Sequence, residues 1–478
     1  MIAGSIAHKE QERKKNMAIV GAIMVPHPPI LLPEVGKGEE KKIAATAAAY
    51  EQAAAFVSEL KPDTIVLASP HSILYSDYFH ISPGNCAKGD MGQFRAPQVK
   101  FRVAYDTAFV DELSKRCDQL GFPAGTLGER KAELDHGTMI PLYYINHYAR
   151  SYKLVRIGLS GLPLAEHYRL GKLIQQTADK LGRRVVFIGS GDLSHKLREQ
   201  GPYGYAKEGP DYDERIMDVM GRAAFDELLD FDESFCEKAA ECGHRGFCML
   251  AGALDGMLPE TKRLSHEGTF GVGYGICTYR VVGEDPDRRL LEKWEARQKH
   301  TLLEKRAKED AYVRLARAVI NAWIRERRRF PLPDDLPPEM ISLRAGAFVS
   351  LHKDGRLRGC IGTIQPVRNH IAEEIEENAI SAATRDPRFS PVRPEELDSL
   401  EISVDILSKP EDIRSKAELD VKRYGVIVSK GARRGLLLPN LDGVDTVDEQ
   451  ISIALRKSGI PEWEKGVELQ RFEVVRHV

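Results

Sequence analysis

The chain has 478 residues, with 69 Lys plus Arg against 71 Asp plus Glu, a formal net charge of −2, and 42% hydrophobic residues. That balance excludes a generally basic nucleic-acid coat, intrinsic disorder, collagen and a chain-long coiled coil, and the length favours two or three domains. No apolar run approaches the roughly 18 residues of a membrane span, so neither nucleic acid nor a membrane is an expected partner.

Residues 1–17 read as a frayed leader whose charges follow a weakly apolar start, the wrong order for a secretory signal. The seven cysteines include no CxxC pair, and Cys236, Cys242 and Cys248 fall six residues apart. Reduced thiols in a cytoplasmic protein fit that pattern better than a disulfide scaffold or a zinc finger.

From residue 18 to 283 the chain alternates strands and helices. Ala18–Val25 is an apolar run broken at Pro26, and alanine-rich Lys41–Leu60 predicts a helix. Thr64–Ala68 predicts a buried strand, and the rhythm returns as strand Tyr152–Leu159, helix Ala165–Leu181 and strand Arg184–Gly189. Helical segments follow over Asp213–Leu229 and Cys248–Met257. The expectation is an α/β domain over 18–283, with a mixed, mostly parallel central sheet flanked by helices.

Glu284–Arg329 is dense in Arg, Lys and Glu. The apolar set Leu290, Leu291, Trp294, Leu302, Leu303 and the set Leu315, Val319, Ala322, Trp323 predict two charged helices. Residues 284–300 are expected as a charged helical linker, and the charged helices Glu284–Arg329 as a spacer or docking surface. The proline cluster Pro331–Met340 ends this stretch. Strand-like Ala347–His352 and Glu401–Leu407 around a helix at Ile371–Thr384 then predict a second, α+β domain over 301–478.

Three loops at the ends of apolar strands carry histidine: Pro26-His27-Pro28-Pro29, Ser69-Pro70-His71 and Gly189-Ser190-Gly191-Asp192-Leu193-Ser194-His195. Asp135-His136-Gly137 is a fourth, and Glu241-Cys242 pairs a carboxylate with a thiol before a helical run. One histidine beside proline is explained by packing. Four at strand ends are not, because ligands gather at the carboxyl ends of strands in open α/β sheets. Two imidazoles and an acid suit a divalent first-row metal and leave open faces for oxygen and substrate, as non-haem Fe(II) chemistry needs. His136 and His195 are then free for acid, base or hydrogen-bond work. Other chemistries fit poorly. Ser190, Asp192 and His195 lie too close together for a nucleophile triad and no GxSxG elbow exists. FGVGYG is not a dinucleotide fingerprint, and no phosphate loop occurs.

Together the PHPP, SPH, DHG-x3-PL and GSGDLSH loops resemble the LigB-type class III extradiol dioxygenase superfamily, which includes the Memo proteins. The resemblance implies His27 and His71 as metal ligands, with His195 and His136 in catalysis. Asp192 is expected to fix the His195 tautomer. The third ligand is open. LigB-type enzymes use a glutamate and Memo-like proteins a cysteine, and here Glu241 and Cys242 stand side by side. The spacing to the apolar run favours Cys242; oxygenase chemistry favours Glu241, which is ranked ahead as an iron ligand. Fe(II) is the expected ion, with copper or zinc the alternatives if the thiolate binds.

In the second domain, Leu357-Arg358-Gly359-Cys360-Ile361-Gly362, then Arg385-Asp386-Pro387-Arg388-Phe389, then Gly435-Leu436-Leu437-Leu438-Pro439 resemble the AMMECR family. Arg358, Cys360, Arg385 and Arg388 are candidates for a second ligand site, with tight sheet packing and an ion network as the structural alternative. The fusion resembles the combined protein of the AmmeMemoRadiSam system, which implies a separately encoded radical S-adenosylmethionine partner. The chain has no CxxxCxxC cluster of its own. The expected function is an Fe(II)-dependent dioxygenase that takes O2 and a catechol-like or related phenolic substrate. A metal-binding adaptor or redox component without ring cleavage is the alternative, and a purely structural interaction module the third.

Overall fold

A computed structural model describes residues 17–478 except 131, 132, 150, 354 and 442, so the expected leader lies, apart from Met17, outside the described residues. The chain divides into two compact units, one ending at Ala296 and the other beginning at Arg297.

The first unit is built on two early strands, β1 (Ile19–Val25) and β2 (Thr64–Ser69), both buried along their whole length. A hairpin of β3 (Cys86–Met91) and β4 (Ala96–Ala104) stands apart from them. Two further apolar strands follow, β5 (Lys153–Gly158) and β6 (Val185–Ser190), then β7 (Met257–Glu267) and β8 (Tyr274–Glu284). The six-stranded sheet runs β5-β2-β6-β1-β8-β7. Its first four strands pair in parallel, and β8 and β7 close the far edge antiparallel. The expected mixed, mostly parallel sheet is what forms.

Side chains alternate between two cores, one on each face, as a pleated strand requires. Along β2, Val66 and Ala68 point to one core while Ile65 and Leu67 point to the other. The first core is closed by α2 (Thr107–Leu120), α4 (Leu164–Leu181), α5 (Glu208–Arg222) and α6 (His244–Ala253). The second is closed by α1 (Ala44–Glu59) and α3 (His136–Tyr148), together with the hairpin. Helix α5 starts and stops earlier than its expected span, 213–229. Ala223 turns left-handed at φ 54° and ends it, and residues 225–230 continue as 3-10 turns. Helix α6 likewise begins four residues before the expected Cys248. The hairpin was not foreseen, since its half-exposed strands show little periodic apolar pattern.

Helix α7 (Leu290–Ala307) covers most of the expected linker and contains the division between the units. Among the described residues, no helix is long and apolar enough to cross a membrane. The second unit is α+β. Helices α8 (Ala311–Asn321) and α9 (Ile371–Thr384) pack on an antiparallel sheet ordered β10-β9-β11-β16, from β9 (Gly346–Lys353), β10 (Arg356–Gly362), β11 (Leu400–Leu407) and β16 (Val474–His477). A second antiparallel sheet, β12 (Glu411–Ile413), β15 (Glu468–Phe472), β13 (Gly425–Lys430) and β14 (Arg433–Leu437), carries α10 (Val447–Ser458).

Candidate metal centre

Parallel pairing brings the carboxyl ends of β1, β2 and β6 to one edge: Val25 stands level with Ser190, and Ala68 with Gly189. The loops that follow therefore converge. Helix α3 starts at the same edge, with Asp135 capping it by accepting from the Thr138 N–H at 2.9 Å, which fixes His136 at its first turn. The loop before α6 arrives because two glycines let backbones touch. A Cβ on Gly191 would sit 2.1 Å from the Gly243 Cα, so only hydrogen fits there.

Buried His27 is held by the residue level with its strand end. The Ser190 hydroxyl donates to the Gly137 carbonyl at 2.6 Å, so its oxygen accepts from His27 Nδ1–H at 3.0 Å. That network assigns the tautomer and leaves the His27 Nε2 lone pair facing His71 Nε2 at 2.9 Å. Cys242 Sγ is 3.7 Å from the same His27 nitrogen. Donor atoms of His27, His71 and Cys242 all lie within 4.8 Å of one another.

Two ring nitrogens at such a separation share either one proton or one cation. Desolvation, and then the His71 charge, lower the His27 pKa well below its ordinary value; desolvation lowers that of His71 as well. Burial pushes the Cys242 thiol up. A site that resists protons on its imidazoles and holds a thiol among them has the donor chemistry of a divalent transition metal, which would displace the thiol proton on binding. The residues present fit such an ion.

Glu241, ranked ahead of Cys242 on sequence grounds, lies outside this group. Its carboxylate turns to the start of α6 and accepts from the His244 N–H at 2.6 Å, the position where a helix attracts negative charge. Burial nonetheless raises its pKa to about 7. Asp192 belongs to the scaffold of the centre: Oδ1 accepts from the His27 backbone N–H at 2.8 Å, while its own N–H points to Cys242 Sγ at 3.3 Å. It does not fix the His195 tautomer as expected. The Ala240 carbonyl does, accepting from His195 Nδ1–H at 2.6 Å, and leaves Nε2 facing Asp192 Oδ2 at 3.9 Å. His136 lies against His71 with ring centroids 3.9 Å apart and against His27 at 5.4 Å. Desolvation, reinforced by those two rings, brings its pKa down to about 4, so it is neutral at pH 7.

His71 and His136 open onto a cleft of about 1120 Å3, whose wall includes Phe101 from the hairpin and Asp135 and Arg156. Arg156 was not anticipated. It is 2% exposed, its Nε donating to Ser82 Oγ at 2.8 Å and its Nη1 to the Glu133 carbonyl at 2.7 Å, with Asp135 Oδ2 at 3.6 Å. The signal was present: an arginine inside the apolar strand KLVRIG has to answer a buried charge or polar group. Ser190 lies in the GSGDLSH loop, but its bond to His27 is not legible there, and Phe94, whose ring meets His136 edge-on at 5.4 Å, carries no signature a single sequence reveals.

In the second unit the expected ligand residues are engaged with protein groups. Arg358 forms a two-pronged pair with Glu396, both bonds 2.9 Å, and also donates to the Ser390 carbonyl. Arg388 grips Asp386, which in turn accepts from the Cys360 N–H at 2.9 Å; Cys360 Sγ accepts from Ser350 Oγ. Arg385 pairs with Glu377 at 3.1 Å. Each guanidinium meets a carboxylate of its own domain, the arrangement of an ion network rather than an anion pocket.

Residues 21–277 match the family described as the catalytic LigB subunit of aromatic ring-opening dioxygenase, and residues 313–477 match AMMECR1. Protein CA_C1420 of Clostridium acetobutylicum is 39% identical over 96% of this chain and 99% of its own length. A Thermotoga maritima protein is 55% identical over 35% of this chain and 98% of its own. The crystal structure of an uncharacterised Pyrococcus horikoshii protein covers 34% of this chain and 88% of its own, at 33% identity and a TM-score of 0.33. On the extent of the family matches and of the Clostridium acetobutylicum relative, the chain belongs to the LigB family, as a Memo-like member joined to an AMMECR1 domain.

Proposed function

We propose that the first unit is a non-haem Fe(II)-dependent dioxygenase of the extradiol type, acting on a catechol-like or related phenolic substrate in the cytoplasm. The observation that carries this reading is the His27–His71–Cys242 group with His136 and His195 beside it, opening on a cleft in a LigB-family domain. His27, His71 and Cys242 would hold the ion, which when bound would supply a Lewis-acid and redox centre for substrate and O2.

The surrounding side chains then have definable tasks. Ser190 keeps the His27 lone pair on the correct nitrogen. His195, with Nδ1–H committed to the Ala240 carbonyl, can take or give a proton only at Nε2. His136, neutral at pH 7, offers a hydrogen bond toward a phenolic oxygen without adding charge. The Phe101 ring gives the cleft apolar surface suited to an aromatic ring.

A second reading is favoured by Cys242 standing where an oxygenase triad would have a carboxylate. A thiolate ligand suits copper, zinc or a redox-active site. In this reading the chain is a metal-binding adaptor or redox component for a separately encoded radical S-adenosylmethionine enzyme. The deciding experiment is anaerobic Fe(II) loading, then metal analysis and O2 uptake with a catechol panel. Its samples are the wild type, His27→Ala/His71→Ala and His195→Asn. Stoichiometric iron in the wild type and His195→Asn, with uptake only in the wild type, is the expected result. Iron without uptake would transfer the assignment to the adaptor. Equal, negligible metal in wild type and double variant would end both readings.

A further inference from the structure

The second unit contains a cavity of about 570 Å3 formed by the end of α7, the segment that joins it to α8, Arg317 of α8, and strands β9, β11 and β16. Five of its lining residues are Lys or Arg and two are Glu, while Leu302 and Ile402 contribute apolar wall. Three of the cations are matched. Lys305 pairs with Glu401, Arg317 with Glu309, and Arg476 grips Asp405 through Nε at 2.8 Å and Nη2 at 2.9 Å.

The other two are not. Among the described residues, neither Arg306 nor Lys308 has a carboxylate within ion-pair distance. The Arg306 Nη2 donates to the Leu397 carbonyl at 3.0 Å, but its Nε is buried without a hydrogen-bond partner. Leaving a charged donor buried and unsatisfied costs more than a hydrogen bond normally contributes. The half-buried imidazole of His352 also lines the space. Two unmatched cations beside apolar wall describe a receptor for negative charge carried on an organic body.

We infer that this cavity binds a small organic dianion, a compact doubly charged head group on an apolar body, with Arg306 and Lys308 as its charge partners. Phosphate monoesters and dicarboxylates share that chemistry. Arginine's fork suits either head group and lysine adds a point charge. Arg358, Arg385 and Arg388, the guanidinium groups around Cys360, do not line this cavity and are occupied by protein carboxylates.

Calorimetric titration of the full chain at low salt with phenyl phosphate, phthalate and benzoate tests this. Phenyl phosphate or phthalate should bind saturably, one per chain and more tightly than benzoate, and the tighter of the two identifies the head group. Arg306→Met and Lys308→Met should each weaken binding about tenfold or more. Arg414→Met, which removes the same charge from a residue not lining the cavity, should leave it unchanged. The Lys308 side chain is exposed and, among the described residues, makes no ion pair, so its variant reports on binding even if Arg306→Met folds poorly. The proposal is overturned if neither dianion saturates, if benzoate binds as tightly, or if Lys308→Met binds like the wild type.

Discussion

Ser190 shows how one hydroxyl can set the chemistry of a candidate metal ligand. By donating to the Gly137 carbonyl and accepting from His27 Nδ1, it fixes which nitrogen carries the lone pair. Ser190→Ala should leave the fold intact and lower metal affinity by about 10–100-fold, the usual cost of losing an outer partner of a ligand, as read by competition with a chelator. Glu241 and Cys242 separate equally cleanly. Cys242→Ala should abolish tight metal binding, whereas Glu241→Gln should retain it and lower stability by about 1 kcal/mol through the α6 start, measured by denaturant unfolding. Metal loss in Glu241→Gln with retention in Cys242→Ala would reverse the ligand assignment. Sequence could not decide between these neighbours. Which of two adjacent side chains turns inward depends on where the following helix begins, and α6 begins earlier than its apolar pattern suggested.

At the scale of elements, loops rather than strands carry the constraints. The approach of the 190–195 loop to the loop before α6 leaves no room for a methyl group, so Gly191→Ala should destabilise the first unit by roughly 1–3 kcal/mol. The same substitution should reduce metal retention by moving Cys242 away from His27, and metal analysis alongside thermal unfolding checks both effects. In the second unit, Arg358 on β10 holds the Glu396 carboxyl down to about 2 from its ordinary 4.5, chiefly through their hydrogen bonds. A carboxyl whose folded pKa is depressed stabilises the fold fully above its unfolded pKa, and that contribution fades as pH falls from about 4.5 toward 2. Glu396→Gln should therefore lower stability at pH 7 and flatten this part of the acid profile. A variant as acid-sensitive as the wild type would show that the pair contributes nothing.

For the whole molecule, each unit encloses its own apolar clusters, so cooperative unfolding need not span the chain. Calorimetry should resolve two transitions, and loading the metal should raise only that of the first unit, because a ligand stabilises the part whose folded state binds it. One transition that shifts as a whole on metal addition would instead mean the two units unfold together.

The strand and helix alternation, the mostly parallel sheet and the family are legible in the order of residues alone. Those follow from local periodicity and from motifs that each sit in one short segment, such as the histidine loops at the ends of β1, β2 and β6. Tertiary structure decided what those motifs do to one another. Cys242 rather than Glu241 faces His27, and Ala240 rather than Asp192 orients His195. Arg156 is buried beside the cleft, and the arginines around Cys360 are held by carboxylates. Every one of these depends on contacts between residues distant in the chain or on the direction a backbone turns. Hydrophobic periodicity records which face of an element is buried, but it does not record which polar group waits on the other side.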